Sequence, residues 1–180
     1  MQGPEELIQF WFVEHGYEDW FGGDAVFDEK CTRFAGLHAQ ASRGELWSWR
    51  ETSEGRLAEI VLLDQFSRQL LRGSPEAFAQ DKMALALAQE AIAGGHDMAV
   101  DRDWVTFFYL PFMHAESLVI QDEGVRLYEA MGDEKSLDYM KAHRDTVARF
   151  GRFPFRNKAL GRTSTPEEIA YMEEAGDRSF

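Results

Sequence analysis

Cysteine is nearly absent from this sequence of 180 residues, and Cys31 is the one example. A lone cysteine excludes a disulfide bridge within the chain, and its simplest role is a small buried side chain beside Phe27 and Phe34 on one helix face. The first residues, MQGPEEL, also lack the basic and apolar regions of a signal peptide. These two absences lead us to expect a cytoplasmic protein.

Basic residues are also scarce, with 19 Lys and Arg against 32 Asp and Glu and a net charge of -13. Nucleic acids and anionic membranes are bound through clustered Lys and Arg, so we expect neither as a partner. The exception is the segment 141–162, where seven Lys and Arg residues accompany Asp145 alone and give a local charge of +6. The partners of this basic segment are either the protein's own carboxylates or a small anionic ligand.

The sequence contains no stretch of four or more residues that alternates polar and apolar side chains as a half-buried strand does. Apolar residues instead recur at helical spacing, so the sequence predicts an all-α fold. We expect a single domain over residues 1–180, made of seven or eight helices stacked as antiparallel pairs. An apolar fraction of 44% and an aromatic fraction of 13% are sufficient for one sizeable core.

The stretch 104–121, WVTFFYLPFMHAESLVIQ, is apolar on every side over its first ten residues, which is typical of a buried helix. Asp103 is its expected N-cap, and Pro111 is expected to kink the helix or divide it in two. Residues 20–23 are expected to form a loop whose aromatic side chains fill the core. The other expected helix N-caps are Asp24, Ser74 and, in a capping box with Glu168, Thr165. A further helix is expected from Asp133 or Glu134 to Phe150.

His114 and Glu116 resemble a metal-binding pair, but side chains two residues apart on a helix diverge by roughly 200°. Because HExxH, ExxH, CxxC, GxSxG and P-loop patterns are all missing, we expect no metal and no cofactor. Ser117 and Gln121 share the helical face of His114, which suits the wall of a ligand site, and His143 lies on the inner face of a later helix. For both histidines the alternative is a neutral core side chain with one partner.

Asp64 lies inside the apolar stripe of the segment 54–72, where a carboxylate must be paired, and Arg68 is its nearest candidate partner. Arginine side chains suit carboxylates and phosphates alike, so two interpretations stay open. One is structural ion pairing with Asp64, Asp81 and Glu116 as acceptors, and the other is a site for an anion. The arginines concerned are Arg68, Arg72, Arg152, Arg156 and Arg162.

Three segments resemble the signature blocks of a bacterial family known as domain of unknown function 924. They are LLDQFSRQLLRG at 62–73, FFYLPFMHAESLVIQ at 107–121 and FGRFPFRNKALGRTSTPEE at 150–168, and QFWF at 9–12 extends the resemblance over nearly the whole chain. The resemblance implies a superhelix similar to tetratricopeptide-type folds, with no assigned activity or cofactor. It also implies that the following residues occupy the polar motif positions of the family: Asp64, Gln65, Arg68, Arg72, His114, Glu116, Gln121, Arg152, Arg156, Asn157 and Arg162.

The chain departs from the family pattern at four positions. Ser67 stands where proline is usual, Gln69 where asparagine is usual and Ala115 where serine is usual. Phe155 replaces a common histidine, which weakens any mechanism that needs two histidines in the loop region and leaves the arginines untouched.

These observations predict a partly buried Arg/His/Asp/Gln pocket that binds a small anionic ligand or a peptide carboxylate. The candidate binding residues are the eleven motif positions together with His143, and no residue is assigned a catalytic role. One alternative is a hydrolase that uses Asp64, Glu116, His114 or His143 as acid or base. Another is a helical scaffold whose concave surface binds a protein. A homodimer is also possible through exposed Trp and Met side chains.

Overall fold

The computed structural model describes residues 3–176, and every regular element within that range is helical. The predicted all-α fold is therefore confirmed. The chain divides at Pro111 into two compact units, residues 1–111 and 112–180, which are called here the first unit and the second unit. The expectation of a single domain and that of a tetratricopeptide-like superhelix stay predictions.

The first unit is a succession of short helices. Its α-helices are α1 (Pro4–Ile8), α2 (Tyr17–Phe21), α3 (Ala25–Cys31), α4 (Ala35–Ser42), α5 (Ser53–Val61), α6 (Ser67–Leu70), α7 (Asp81–Ala93) and most of α8 (Thr106–Met113). Its 3-10 turns are Thr32–Phe34, Trp47–Glu51, Pro75–Phe78, His96–Ala99 and Arg102–Trp104. The π-helical turn Gln9–Glu14 continues α1, and the π-helical turn Leu62–Phe66 joins α5 to α6.

The continuous helix formed by α5, the π-helical turn and α6 lies at the centre of the first unit. Every residue from 57 to 67 is buried, so this helix has no face toward water over three turns. Aromatic rings pack against it, with ring centroids 5.0 Å apart for Trp11 and Phe66 and 5.4 Å apart for Phe34 and Phe66. Such aromatic pairs contribute about 0.5 to 1.5 kcal/mol each beyond the area they bury.

The predicted central helix is divided in two, but the break comes after Met113 and not at Pro111. Pro111 lies inside α8, and the helix continues to Met113 before residues 114–117 form a non-helical turn. The carbonyl oxygens that this turn releases are bound by the amide of Gln121, which explains why the chain can leave the helix there. Before α8, Asp101 caps the 3-10 turn Arg102–Trp104 by accepting the backbone N–H of Asp103, and α8 begins at Thr106. Asp103 as the N-cap of the central helix stays a prediction.

The second unit is built on a helical hairpin of α9 (Leu118–Met131) and α10 (Glu134–Phe150). Gly132 ends α9 with a φ of 77°, in the left-handed region that favours glycine. Asp133 then caps α10 by accepting the N–H of Lys135, and the helix spans the range predicted for it. The two-residue connection makes the helices antiparallel neighbours.

Two contacts give the register of this hairpin. Arg144 donates to Asp122 at 2.9 Å. A Cβ atom on Gly124 would lie 2.8 Å from the Cε of Met140, so a side chain larger than hydrogen would force Met140 to move. One helical turn from this close approach, Gln121 on α9 lies level with His143 on α10, because the two helices run in opposite directions.

After α10 the chain forms an ordered loop and one more helix. Gly151 ends α10 with a φ of 72°, the 3-10 turn Pro154–Arg156 follows, and α11 (Pro166–Ala175) closes the unit. The capping box predicted at Thr165 is present, since Thr165 and Glu168 each accept the backbone N–H of the other.

Counted as continuous segments, the helices of residues 3–176 number nine, against the predicted seven or eight. The addition is α2, which occupies the expected loop at 20–23, and its Phe21 is exposed rather than buried in the core. The predicted helix after Ser74 begins as the 3-10 turn Pro75–Phe78, and Ser74 makes no cap hydrogen bond. Within the described residues, each helix is too short or too polar to cross a bilayer.

Candidate functional site

The candidate residues fall into two groups, one in each unit. Asp64, Gln65, Arg68 and Arg72 belong to the first unit, and the other candidates belong to the second. The idea that Asp64 meets the arginines of the 152–162 loop therefore stays a prediction.

Asp64 is buried in the first unit and bound to its neighbours along the helix. Its carboxylate accepts a hydrogen bond from Gln65 Nε2 at 2.6 Å and lies 3.3 Å from Arg68 Nη1. The same guanidinium donates to the backbone carbonyl of Asp64 at 2.7 Å. The predicted pairing of Asp64 with Arg68 is thus confirmed.

Arg68 and Arg72 are both bidentate partners of carboxylates. Arg68 donates to Asp81 at 2.9 and 3.0 Å, and Arg72 donates to Asp28 at 2.7 and 2.9 Å. Burial by itself would lower the pKa of Arg68, but the charges of Asp64 and Asp81 outweigh burial and raise it. These pairs match the interpretation of structural ion pairing, with Asp81 as a predicted acceptor and Asp28 as one that the sequence did not indicate.

A second buried carboxylate of the same continuous helix, Glu59 in α5, was not predicted from the sequence. Glu59 is completely buried and receives two hydrogen bonds from Arg50, at 2.6 and 2.7 Å. It lies five residues before Asp64, roughly 140° away around an α-helix, so the apolar stripe that indicated a buried carboxylate at Asp64 did not include Glu59.

In the second unit, Glu116 connects the turn after α8 to the loop after α10. Its carboxylate accepts two hydrogen bonds from Arg162, at 2.7 and 2.9 Å, and the backbone N–H of Phe153 at 2.7 Å. Arg162 also donates to the carbonyl oxygen of Phe153 at 3.0 Å and to Asn157 Oδ1 at 2.8 Å. Glu116 was a predicted acceptor, and Arg162 is the arginine that it binds.

Glu168 completes the polar network of this loop. It accepts two hydrogen bonds from Arg152, at 2.6 and 2.9 Å, and one from Asn157 Nδ2 at 3.2 Å. These bonds, led by that of Arg152, hold the pKa of the Glu168 carboxyl at about 2. The sequence predicted Glu168 as half of a capping box. It did not predict the pairing of Glu168 with Arg152, because these two residues lie sixteen positions apart.

The Glu116 carboxylate is also held in its charged form. Burial raises its pKa, but hydrogen bonds from Arg162 and the Phe153 N–H, together with the charges of Arg162 and Arg156, outweigh burial and lower it. A carboxyl group with a lowered pKa is a weak base and is fully ionised at neutral pH. This environment suits a structural or ligand-positioning role better than general acid catalysis.

Gln121 is the candidate whose hydrogen bonding is incomplete. Its side-chain nitrogen donates toward the carbonyl oxygens of Met113 and Ala115, both at 2.8 Å, and of Phe112 at 3.3 Å. Three acceptors around one atom identify it as the amide nitrogen. The other end of the amide, Oε1, is buried and has no hydrogen-bond partner.

Phe153 contacts two further candidates of the second unit, His143 and Arg156. The ring of His143 meets its ring edge-on at 5.6 Å, and the Arg156 guanidinium lies over it at 4.5 Å from the centroid. His143 also hydrogen bonds to the carbonyl oxygen of Tyr139 through Nδ1 at 2.7 Å. His143 and Arg156 are both more than nine-tenths buried. We call Gln121, His143, Phe153 and Arg156 the Phe153 cluster.

His114 has a different position from the one predicted. It lies in the non-helical turn 114–117 and is half-buried, so the expected helical face shared with Ser117 and Gln121 does not exist. The reason is the early end of α8 at Met113. Across residues 3–176, no three His, Cys, Asp or Glu side chains are grouped as ligands for a metal ion.

Over the described residues these features define a helical protein in which Arg68, Arg72, Arg152 and Arg162 each pair with a carboxylate of their own unit. Residues 7–176 match the family described as bacterial protein of unknown function (DUF924), and the chain belongs to that family. It is also similar to the solved structure of a protein of unknown function from Agrobacterium tumefaciens, with 44% sequence identity and a TM-score of 0.90. That similarity covers 95% of this chain and 97% of the other. No curated protein matches the chain. The family resemblance expected from the three sequence segments is therefore confirmed.

Proposed function

We propose that the Phe153 cluster binds a small anionic molecule that also carries a hydrogen-bond donor. The observation that supports this proposal is the Oε1 atom of Gln121, a buried acceptor without a partner. Most buried polar atoms in proteins are hydrogen bonded, and leaving one unsatisfied costs about 1 to 3 kcal/mol. A donor from a bound molecule would remove that cost.

The charge of the ligand is proposed from the surroundings of Gln121. Gln121 lies level with His143 on the interior of the hairpin, and both His143 and Arg156 contact the ring of Phe153. The positive charge of Arg156 already lowers the pKa of Glu116, so its field reaches this region of the unit. In a buried setting such a field favours an anion.

We propose that four of the predicted arginines support the site instead of contacting the ligand. Arg152 and Arg162 each make bidentate contacts with a carboxylate in the second unit, as Arg68 and Arg72 do in the first. Breaking such a pair would leave a carboxylate without its cation, which is costly when the carboxylate is buried. We therefore propose a supporting role for these four arginines. We propose ligand contacts for His143 and Arg156, which meet the ring of Phe153, and for Gln121 through its Oε1 atom.

Two inorganic anions test the proposal. At about pH 8, hydrogenphosphate and sulfate have similar size and charge, but hydrogenphosphate alone carries an O–H donor. Isothermal titration calorimetry with each ion should give about tenfold tighter binding of phosphate, because a hydrogen bond to Gln121 Oε1 adds about 1.4 kcal/mol. Equal affinities would rule out a role for the unsatisfied acceptor.

Variants then locate the binding. Arg156→Met should abolish phosphate binding, whereas Arg156→Lys keeps the charge and should retain part of it. The matched control is Arg126→Met, which removes an exposed arginine paired with Glu123 in the same unit and should leave binding unchanged. If phosphate binds all three variants alike, or binds none including the parent protein, the proposal fails.

A helical scaffold is the second candidate, and the completeness of the ion pairs favours it. A network in which Glu116, Arg162, Glu168 and Arg152 satisfy one another can simply fix the loop against α9 and α10. An ordered water on Gln121 Oε1 would then satisfy the last acceptor. The hydrolase alternative is supported less well, because the lowered pKa of Glu116 makes it a poor acid or base.

A further inference from the structure

An exposed aromatic surface surrounds α2 in the first unit, away from the Phe153 cluster in sequence. Val13 is 62% exposed, and Tyr17 and Phe21 are each 47% exposed. Phe12, Trp20 and Trp104 are half-buried beside them. We call these six residues the α2 surface.

The rings of the α2 surface pack against one another and against the buried ring of Phe107. Tyr17 and Phe21 lie one helical turn apart with their centroids 5.1 Å apart. Phe21 and Trp20 both pack on the fully buried Phe107, at 6.4 and 4.9 Å. On the other side, Phe12 stacks on Trp104 at 4.7 Å. The surface is therefore continuous and ordered rather than a set of separate side chains.

A continuous apolar surface of this kind is unusual outside binding sites. Single exposed apolar residues are normal, but connected exposed patches on soluble proteins mark interaction surfaces. Aromatic residues are the type most enriched in such interfaces, since they bury a large area at little entropic cost. Folding does not need Phe21 and Tyr17 to face water.

The charges around the α2 surface identify the chemistry of its partner. Residues 12–24 contain Glu14, Glu18, Asp19 and Asp24 and neither Lys nor Arg. Asp19 is paired with His15, and Asp24 caps α3 through Val26, whereas Glu14 and Glu18 are exposed. Apolar rings bordered by carboxylates complement a segment with apolar anchors bordered by Lys or Arg.

We propose that the α2 surface docks a basic amphipathic segment of another protein. The carboxylates of residues 12–24 disfavour two other partners at this surface, a second copy of the chain and an anionic membrane. A second copy of this chain would bring two sets of carboxylates together, with a net charge of -13 on each chain. An anionic membrane would repel Glu14 and Glu18. A cationic peptide gains from both the rings and the carboxylates.

Selection from a phage-displayed library of random peptides, with the whole protein as bait, tests this proposal. Enriched peptides should carry a net positive charge and two large apolar residues three or four positions apart. Synthetic copies should bind about tenfold more weakly to Phe21→Ser, as expected for the loss of an interface anchor. They should also bind more weakly to the double variant Glu14→Gln and Glu18→Gln, and that loss should disappear at high salt.

Trp47→Ser is the matched control, because Trp47 is 67% exposed in the 3-10 turn Trp47–Glu51 of the same unit. The proposal is overturned if no peptides are enriched, if the enriched peptides are acidic, or if Phe21→Ser binds them as well as Trp47→Ser does. Two further results would also overturn it in favour of another occupant. They are a dimer, detected by analytical ultracentrifugation, or anionic phospholipid vesicle binding that is lost in Phe21→Ser.

Discussion

Replacing Glu168 by Gln should destabilise the protein, because this buried carboxylate receives four hydrogen bonds. Two come from Arg152, one from the N–H of Thr165 and one from Asn157. Together they hold the pKa of Glu168 at about 2 instead of the usual 4.5. At 1.36 kcal/mol per pKa unit, this preference for the charged form is worth about 3 kcal/mol at most. Because the Arg152 side chain is 28% exposed, water screens part of it, and we expect a loss of about 2 kcal/mol.

The pH dependence has a definite sign. The folded-state pKa of Glu168 lies below that of the unfolded chain, so its stabilisation is complete above about pH 4.5 and is lost as the pH falls toward 2. Urea unfolding followed by circular dichroism should therefore show the largest difference between parent and Glu168→Gln at neutral pH. That difference should shrink steadily below about pH 4.5.

Glu167→Gln is the control for this prediction, since it makes the same chemical change one residue earlier. Glu167 is exposed and pairs with Arg149 at 2.9 Å on the surface, so its loss should change the free energy of unfolding by less than about 0.5 kcal/mol. The reasoning is refuted if both variants cost the same, or if the effect of Glu168→Gln is as large at about pH 3 as at neutral pH.

Further predictions concern the replacement of two glycines by alanine and the reactivity of the Cys31 thiol. Gly55→Ala should cost about 3 kcal/mol in urea unfolding, because its new Cβ would overlap the carbonyl oxygen of Trp49. Gly36→Ala, in α4 with open space around it, should instead gain about 0.5 kcal/mol, and an equal effect of the two would contradict the geometry. Burial raises the pKa of Cys31 to about 12, so Ellman's reagent should react only as the protein unfolds, and rapid labelling of the native protein would disprove this.

Local features of the fold could be predicted from the sequence because their causes lie within a few residues. Asp24 and Thr165 cap helices as expected, since each accepts a backbone N–H two or three positions ahead. Asp64 and Arg68, four positions apart on one helix, were likewise identified as partners.

Features that depend on distant residues could not be predicted in the same way. The turn at 114–117 forms because Gln121 binds the carbonyl oxygens that α8 leaves, and periodicity alone cannot show a side chain folding back. Glu116 was expected to bind an arginine, but the choice of Arg162, 46 positions later, follows from the path of the loop. Helix α2 was missed because it has only five residues between Gly16 and Gly22, too few to show a helical period.

The π-helical turn Leu62–Phe66 has a consequence for how this chain can tolerate changes in length. A π-helical turn closes with i→i+5 hydrogen bonds, so it holds one residue more than the α-helical turn that would replace it. Deleting one residue from this turn would therefore let it become α-helical and would keep Arg68 facing Asp81. A deletion within α5 would instead rotate the residues after it by about 100°, so the chain should tolerate the loss of one residue in the π-helical turn more readily than in α5.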